Sequence, residues 1–133
     1  MKRDKWIWMP HAGHFICGSD CRFHLNTYVG KYIVSTVGEL LPDSGSREIY
    51  AKSKGIILEG IGDSRRYDFI RKHGFVEVGC DRLFETMVFK AIKTKDVCCP
   101  YKIKPLELDM EGYVTRAEAM TGHYKLCAKW SKR

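Results

Sequence analysis

The chain has 133 residues, of which 44% are hydrophobic and 29% charged, and its formal net charge is +7. This length and composition are those of one globular domain with its own core, which excludes a disordered or collagen-like protein. The apolar runs are far shorter than the roughly 20 residues of a membrane span, and the start of the chain lacks the apolar region of a signal peptide. We therefore expect a single soluble domain over residues 1–133 that lies in the cytoplasm and has no membrane partner.

The first predicted elements are two strands, over 22–29 and 32–41, that are rich in β-branched and aromatic residues. Gly30 and Lys31 between them indicate a hairpin with a two-residue turn. Such a turn pairs residues whose numbers sum to 61, so that Asn26 lies opposite Ser35. One face of this hairpin carries mostly core residues, and the other face is mixed and polar.

The middle of the chain predicts a short helix over 47–54, a buried central strand over 55–59 and a longer helix over 64–73. Asp63 is a suitable N-cap for the longer helix. Gly74 suits the position just after its end, where a left-handed backbone is common.

The last third predicts a second hairpin, with strands over 75–78 and 83–90, and then an irregular stretch over 93–112. Thr115 and Glu118 have the spacing of a capping box, which opens a final helix that runs to about residue 129. Together these elements predict an α+β fold with a mainly antiparallel sheet, built from two β-hairpins and a central strand, with two main helices.

Five potential metal ligands fall within fourteen residues near the start of the chain, namely His11, His14, Cys17, Cys21 and His24. Zinc binds four nitrogen or sulfur donors in a tetrahedron. The candidate zinc site uses Cys17 and Cys21 with two of the histidines, above all His14 and His24. The alternative is that both cysteines are reduced core residues, since a cytoplasmic compartment disfavours disulfides.

A second possible metal site lies near the end of the chain. His123 and Cys127 are four residues apart and so share one face of the final helix. Cys98 or Cys99 would supply the remaining ligands. The alternative is that this helix face is an ordinary packing stripe.

An enzyme is the rival class of function, and its candidate catalytic residues lie on the polar face of the first hairpin and just before it. Imidazole, hydroxyl and carboxylate groups are the usual general acids and bases. The candidate set is His11, His14, His24, Asn26, Ser35 and Glu39. This hypothesis predicts a concave pocket with perturbed pKa values at that hairpin.

Basic residues are concentrated near the end of the chain, because 90–133 contain ten Lys or Arg and five Asp or Glu, whereas 1–89 contain 13 and 11. Such a region attracts phosphate backbones and acidic proteins. The favoured interpretation is a binding protein for nucleic acid or an acidic host protein. Its candidate contacts lie on the two main helices: Arg65, Arg66, Arg71, Lys72, Lys125, Lys129, Lys132 and Arg133. The alternative is that both are solvated helix faces.

Two long stretches resemble a group of small uncharacterised bacteriophage proteins. One is 11–41, with the motifs His-Phe-Ile-Cys, Cys-Arg-Phe-His and Tyr-Ile-Val-Ser-Thr-Val-Gly-Glu, and the other is 72–89, with Lys-His-Gly-Phe-Val-Glu-Val-Gly. The tail from Gly112 to Cys127 is similar to the C-terminal segments of such proteins. The resemblance implies a phage or prophage origin, and hence the host cytoplasm, but no particular function.

A shorter stretch resembles the last third of GNAT acetyltransferases, in which a helix that ends in Gly-Phe leads into two strands. Residues 67–89 have that order. This resemblance implies acyl transfer as one form of the enzyme hypothesis. The acetyl-CoA pyrophosphate motif of that family is not matched, because only Gly60 and Gly62 stand where its glycines would lie.

Overall fold

The computed structural model describes residues 6–9, 21–40, 71–72, 74, 77–78, 82–97 and 100–133. The elements described in full are five strands and one helix: β1 Trp6–Trp8, β2 Cys21–Val29, β3 Tyr32–Leu40, β4 Phe84–Lys93, β5 Tyr101–Tyr113 and α1 Arg116–Ser131. The strands form one antiparallel sheet in the order β1-β2-β3-β4-β5. The predicted α+β class with a mainly antiparallel sheet is confirmed.

The register of the first hairpin is the predicted one. Thr27 lies opposite Val34 and Asn26 opposite Ser35, so that paired residue numbers sum to 61. The structure therefore confirms the two-residue turn and the assignment of residues to the two faces, which follows from the two-residue period of a strand. The face predicted as mixed and polar is also buried along β3, because Ile33, Ser35 and Val37 are covered there.

The predicted second hairpin is wrong in its partners. Strand β4 has the expected place, but Glu77 and Val78 lie outside any strand, and the neighbours of β4 are β3 and β5. The Val78 backbone N–H donates a hydrogen bond to the Arg82 carbonyl. Among the described strands, β4 forms its hairpin with β5.

The stretch 93–112, predicted as irregular, is mostly strand β5. Pro105 argues against a strand, since proline cannot donate a ladder hydrogen bond. In the structure it lies where the β4–β5 register shifts, between the pairs Phe89–Glu107 and Ala91–Ile103. Proline is tolerated at such bulges, so the alternation of apolar residues on either side of Pro105 was the better guide.

Helix α1 begins as predicted. The Thr115 side chain accepts a hydrogen bond from the Glu118 backbone, and the Glu118 carboxylate accepts one from the Thr115 backbone, which completes the capping box. The helix then packs on the face of the sheet that carries Val34 and Val88. Its core contacts come from Leu126, Cys127 and Trp130.

The opposite face of the sheet has a second, smaller core. Met9 and Ile33 are buried there, next to the rings of Tyr28 and Tyr101, which stack with their centroids 3.8 Å apart. The Tyr28–Tyr101 stack joins β2 to the beginning of β5.

Only the end of the predicted helix over 64–73 can be assessed. Arg71 and Lys72 are helical, and Gly74 has a φ of 76°, as expected for a glycine that ends a helix. The predicted helix over 47–54 and the central strand over 55–59 lie outside the described residues. No helix in the described ranges is long and apolar enough to cross a membrane.

Gly122 allows α1 to lie close to β5. A Cβ atom at this position would stand 2.0 Å from the hydroxyl oxygen of Tyr113 and 2.2 Å from its ring. Tyr113 is buried, so its ring has little room to move aside. The contact therefore requires a residue without a side chain.

We expect the substitution Gly122→Ala to destabilise the protein. Alanine favours a helix by about 1 kcal/mol over glycine, but overpacking of a buried contact costs about 1–3 kcal/mol. The free energy of unfolding, measured in urea, should fall. The control is Thr121→Ala, an exposed neighbour in the same helix, which should leave stability unchanged or slightly higher. Equal stability of both variants would contradict the close approach.

Candidate functional site

A network of buried polar side chains connects α1 to the middle of the sheet. His123 is fully buried; its Nε2 lies 2.8 Å from Thr27 Oγ1, and its Nδ1 lies 2.6 Å from Thr36 Oγ1. The Thr36 hydroxyl is also 2.6 Å from that of Thr86. Because Thr27 and Thr36 belong to β2 and β3, the imidazole links the helix directly to two adjacent strands, and Thr36 extends the network to Thr86 on β4.

The groups in this network are uncharged at neutral pH. Burial lowers the pKa of His123 to about 4, so one ring nitrogen donates to a hydroxyl while the other accepts. Burial also raises the pKa of the Cys127 thiol to about 12, and a hydrogen bond with Thr27 opposes only part of that effect. A neutral imidazole without access to solvent positions the helix and does not exchange protons with a substrate.

Both residues of the predicted metal pair on α1, His123 and Cys127, take part in the packing of the helix on the sheet. Both nitrogens of His123 already bond to threonine hydroxyls, and Cys127 is buried in the core beneath the helix. Within the ranges that the structure describes, no group of three or more His, Cys, Asp or Glu residues could hold a metal ion. The other proposed ligands, Cys98 and Cys99, lie outside those ranges.

The structure describes two of the four favoured ligands of the candidate zinc site, Cys21 and His24. Cys21 is buried against Val37 and Leu40, and it forms no disulfide with another described cysteine. His24 is exposed on β2. His14 and Cys17 lie outside the described residues, so the zinc site stays a prediction.

The candidate catalytic residues are brought together only in part. The Ser35 hydroxyl donates to Asn26 Oδ1 at 2.8 Å, and both side chains are buried. Glu39 lies four residues further along β3, about 13 Å away along an extended strand. Its carboxylate binds the Arg116 guanidinium at the start of α1. His24 is exposed, while His11 and His14 lie outside the described residues.

A shallow groove of about 400 Å³ lies elsewhere, between β5 and the first half of α1. Its lining residues are Glu111, Tyr113, Ala117, Glu118, Thr121, Gly122 and Lys125. None of the four described candidate catalytic residues, His24, Asn26, Ser35 and Glu39, lines this groove, so it lends no support to a site on the first hairpin.

Three segments that are distant in the sequence meet at one end of the sheet. The Lys31 carbonyl in the β2–β3 turn accepts a hydrogen bond from the Ala91 backbone at 2.9 Å. The ring centroids of Tyr32 and Trp130 are 4.9 Å apart, which places the end of α1 there as well. The far part of the β4–β5 hairpin, the β2–β3 turn and the C-terminal end of α1 therefore form one surface, here called the basic end.

The basic end has many more positive than negative side chains. Among the described residues it carries nine basic groups: Lys31, Lys90, Lys93, Lys95, Lys102, Lys104, Lys129, Lys132 and Arg133. Its carboxylates are Asp96, Glu107 and Asp109.

One of these three carboxylates is internally neutralised. Asp109 Oδ2 accepts hydrogen bonds from Lys129 Nζ and Trp130 Nε1, both at 2.9 Å. Burial acts to raise the pKa of Asp109, but these bonds outweigh it and lower the pKa below its ordinary value. The surrounding surface therefore keeps a strong excess of positive charge.

The other end of the sheet is balanced by ion pairs. The Arg82 guanidinium lies 3.2 Å from the Glu85 carboxylate, and Arg116 binds Glu39. Glu118 accepts the hydrogen bonds of the capping box at the same end. Among the residues that the structure describes, the largest excess of positive charge therefore lies at the basic end.

The described candidate nucleic-acid contacts lie in three places. Lys129, Lys132 and Arg133 lie at the basic end, whereas Lys125 borders the groove between β5 and α1. Arg71 and Lys72 are exposed at the end of a helix. Arg65 and Arg66 lie outside the described residues.

Sequence reasoning missed six lysines of the basic end: Lys31, Lys90, Lys93, Lys95, Lys102 and Lys104. Lys93, Lys95, Lys102 and Lys104 lie in the stretch predicted as irregular, which gives them no place in the fold. Lys31 lies in the predicted turn and Lys90 at the end of a predicted strand, but the sequence does not show that these positions lie beside the end of α1. The apolar alternation of Tyr101, Ile103, Leu106, Leu108 and Met110 was the signal that could have placed the lysines of the irregular stretch on a hairpin.

Comparison of the chain with protein-family models, with curated proteins and with solved structures found no match.

We expect stability to fall as the pH drops from about 6.5 to about 4 because of His123. Its pKa is 6.5 in the unfolded chain and about 4 in the fold, so the unfolded state binds the proton first and acid favours unfolding. Complete titration of this group would cost about 3 kcal/mol. The free energy of unfolding in urea should be measured from pH 7 to pH 4.

The variant His123→Gln should lose that part of the pH dependence, although it is less stable at every pH. His24→Gln is the matched control, because His24 is exposed and its replacement should leave the wild-type slope. If wild type and His123→Gln have the same slope, the buried neutral imidazole is ruled out.

Proposed function

We propose that this protein binds nucleic acid through the basic end of its sheet. The observation that carries the proposal is the convergence of nine basic side chains from three segments, against three carboxylates of which Asp109 is already paired with Lys129. Long, exposed lysines attract phosphates and release the counterions condensed on them, which is the main source of such affinity.

The size of the surface favours an extended polyanion over a small acid. From Lys90 to Lys95 the β4 side of the hairpin runs about 16 Å at the rise of an extended strand. A duplex carries about one negative charge per 1.7 Å of its axis, so several phosphates can contact this surface at once. The basic residues are spread over a strand pair, a turn and a helix end, and they do not converge on one point.

The resemblance to small bacteriophage proteins supports the cellular location that nucleic-acid binding requires. A phage accessory protein that acts in the host cytoplasm meets nucleic acid at high concentration. An acidic host protein would be attracted to the same surface, and the experiment below separates the two partners. The enzyme hypothesis, including acyl transfer, has less support, because Glu39 and the Asn26–Ser35 pair are separated along β3.

The proposal predicts binding that weakens steeply with salt. Fluorescence anisotropy should be measured with labelled duplex DNA, single-stranded DNA and RNA, starting near 50 mM salt. We expect Lys102→Glu to weaken binding by about tenfold or more and to reduce the slope of log affinity against log salt by about 1 or more, as loss of a phosphate contact does.

Lys125→Glu is the matched control, since it makes the same change of charge on an exposed residue outside the basic end. It should weaken binding by no more than about twofold to threefold, through the general field of the protein. Equal effects of the two variants would contradict a localised interface. Failure of every nucleic acid to bind, with tight binding of polyglutamate, would indicate an acidic protein as the partner instead.

A further inference from the structure

We infer that the far part of the β4–β5 hairpin is a two-stranded ribbon that enters the major groove of duplex DNA. This inference rests on the proposed function and specifies its ligand. The ribbon is defined here as residues 91–94 and 100–103, and the loop residues 95–97 follow its first arm.

The ribbon extends beyond its neighbour in the sheet. Strand β3 pairs with β4 only as far as the Tyr32–Lys90 pair. Beyond it, Ala91, Ile92 and Lys93 still pair with β5, and the Thr94 backbone donates to the Pro100 carbonyl at 2.7 Å. Within the described ranges, this part of the hairpin therefore has two strands and no third, over about 13 Å at the rise of a strand.

These dimensions match one nucleic-acid groove. The major groove of B-form DNA is about 12 Å wide and 8.5 Å deep, and it admits a two-stranded β-ribbon. The strands of a ribbon are about 4.8 Å apart, and their side chains fill the remaining width. The deep major groove of A-form RNA is too narrow for side chains to read, and a single strand offers no groove for a projecting hairpin.

The base of the ribbon is held in a fixed direction. One face of the ribbon packs on the sheet, because Ile103 at its base contacts the core around Ile33 and Tyr101, opposite Lys93 at its far end, stacks on Tyr28 of β2. The other face, which carries Ile92 and Lys102, is exposed and is the one that faces the groove. On the β4 arm, the Ala91 backbone donates to the Lys31 carbonyl. A ribbon anchored on both arms loses little conformational freedom on binding, which favours affinity.

The side chains of the ribbon suit a groove of mixed polarity. Lys93, Lys95 and Lys102 are exposed, and lysine can donate to the O6 and N7 atoms of guanine. Val97 in the loop is 98% exposed, so it contributes to no core, whereas an apolar side chain can contact the methyl group of thymine. The one carboxylate on the ribbon, that of Asp96, can accept from the amino group of cytosine.

The remaining lysines of the basic end surround the base of the ribbon. Lys31 lies beside Ala91, and Lys90 and Lys104 flank the two arms. Lys132 and Arg133 follow at the end of α1. When the ribbon is in the groove, these side chains face the phosphates along its edges, where they position the protein without reading sequence.

The test is methylation of guanine N7 by dimethyl sulfate on a duplex of mixed sequence, with and without the protein. N7 lies in the major groove, so we expect protection at the bound site. Distamycin, which occupies the minor groove, should not displace the protein. Val97→Asp should abolish the protection and weaken duplex binding by about tenfold.

Val114→Asp is the matched control, because Val114 is 63% exposed and lies beside the start of α1, at the end of the sheet opposite the ribbon. It should keep N7 protection and change affinity by less than about twofold. Both variants change exposed residues, and unchanged unfolding midpoints in urea would confirm that the fold is retained.

The possible results separate the inference from the proposed function. Binding to duplex DNA without N7 protection, displacement by distamycin, or equal affinity for single strands would overturn the ribbon and leave nucleic-acid binding intact. Absence of any nucleic-acid binding near 50 mM salt would overturn both. Protection that Val97→Asp removes and Val114→Asp preserves supports the ribbon.

Discussion

The position of α1 on the sheet depends on the hydrogen bonds of one buried side chain, His123. The apolar contacts of Val34, Val88 and Leu126 attract the helix to the sheet, but hydrophobic attraction has no direction and tolerates a shift along the helix axis. A shift of one turn would leave the imidazole of His123 and the hydroxyls of Thr27 and Thr36 buried without partners. Each unpaired polar group costs about 1–3 kcal/mol, so the network selects one alignment.

That alignment decides how charge is distributed over the molecule. With His123 over the middle of the sheet, the first turn of α1 brings Arg116 to Glu39, and its last turn brings Lys129 to Asp109. The carboxylates at the first end are balanced by ion pairs. At the second end, lysines from the β2–β3 turn and the β4–β5 hairpin have too few carboxylates nearby, and a net positive surface results. The positive side chains on this surface repel one another, and the rigid sheet holds together the segments that carry them.

The features of the fold and of the candidate site differ in how far the sequence predicts them. The register of the first hairpin and the start of α1 follow from short-range signals, namely a two-residue turn after Val29 and a capping box at Thr115. Strand β5 was missed because Pro105 disfavours a regular ladder, and only the shift in register opposite β4 shows how the strand accommodates it. Lys102 and Lys104, which lie on this strand, were missed with it. For the candidate catalytic set, the sequence predicted the Asn26–Ser35 pair, but it could not predict that Glu39 would turn to Arg116 on α1.

The sequence by itself determined the features that depend on neighbours a few residues apart: the period of each strand, the turn at Gly30 and Lys31, the helix cap, and the excess of basic residues after residue 89. Only the tertiary structure decided which side chains meet over long separations. His123 is 96 residues from Thr27 and 87 from Thr36. The spacing of polar residues shows which face of a helix or strand they occupy, but not which partner covers that face. The partner is chosen when helix and sheet pack together, because only then must each buried donor and acceptor find its match.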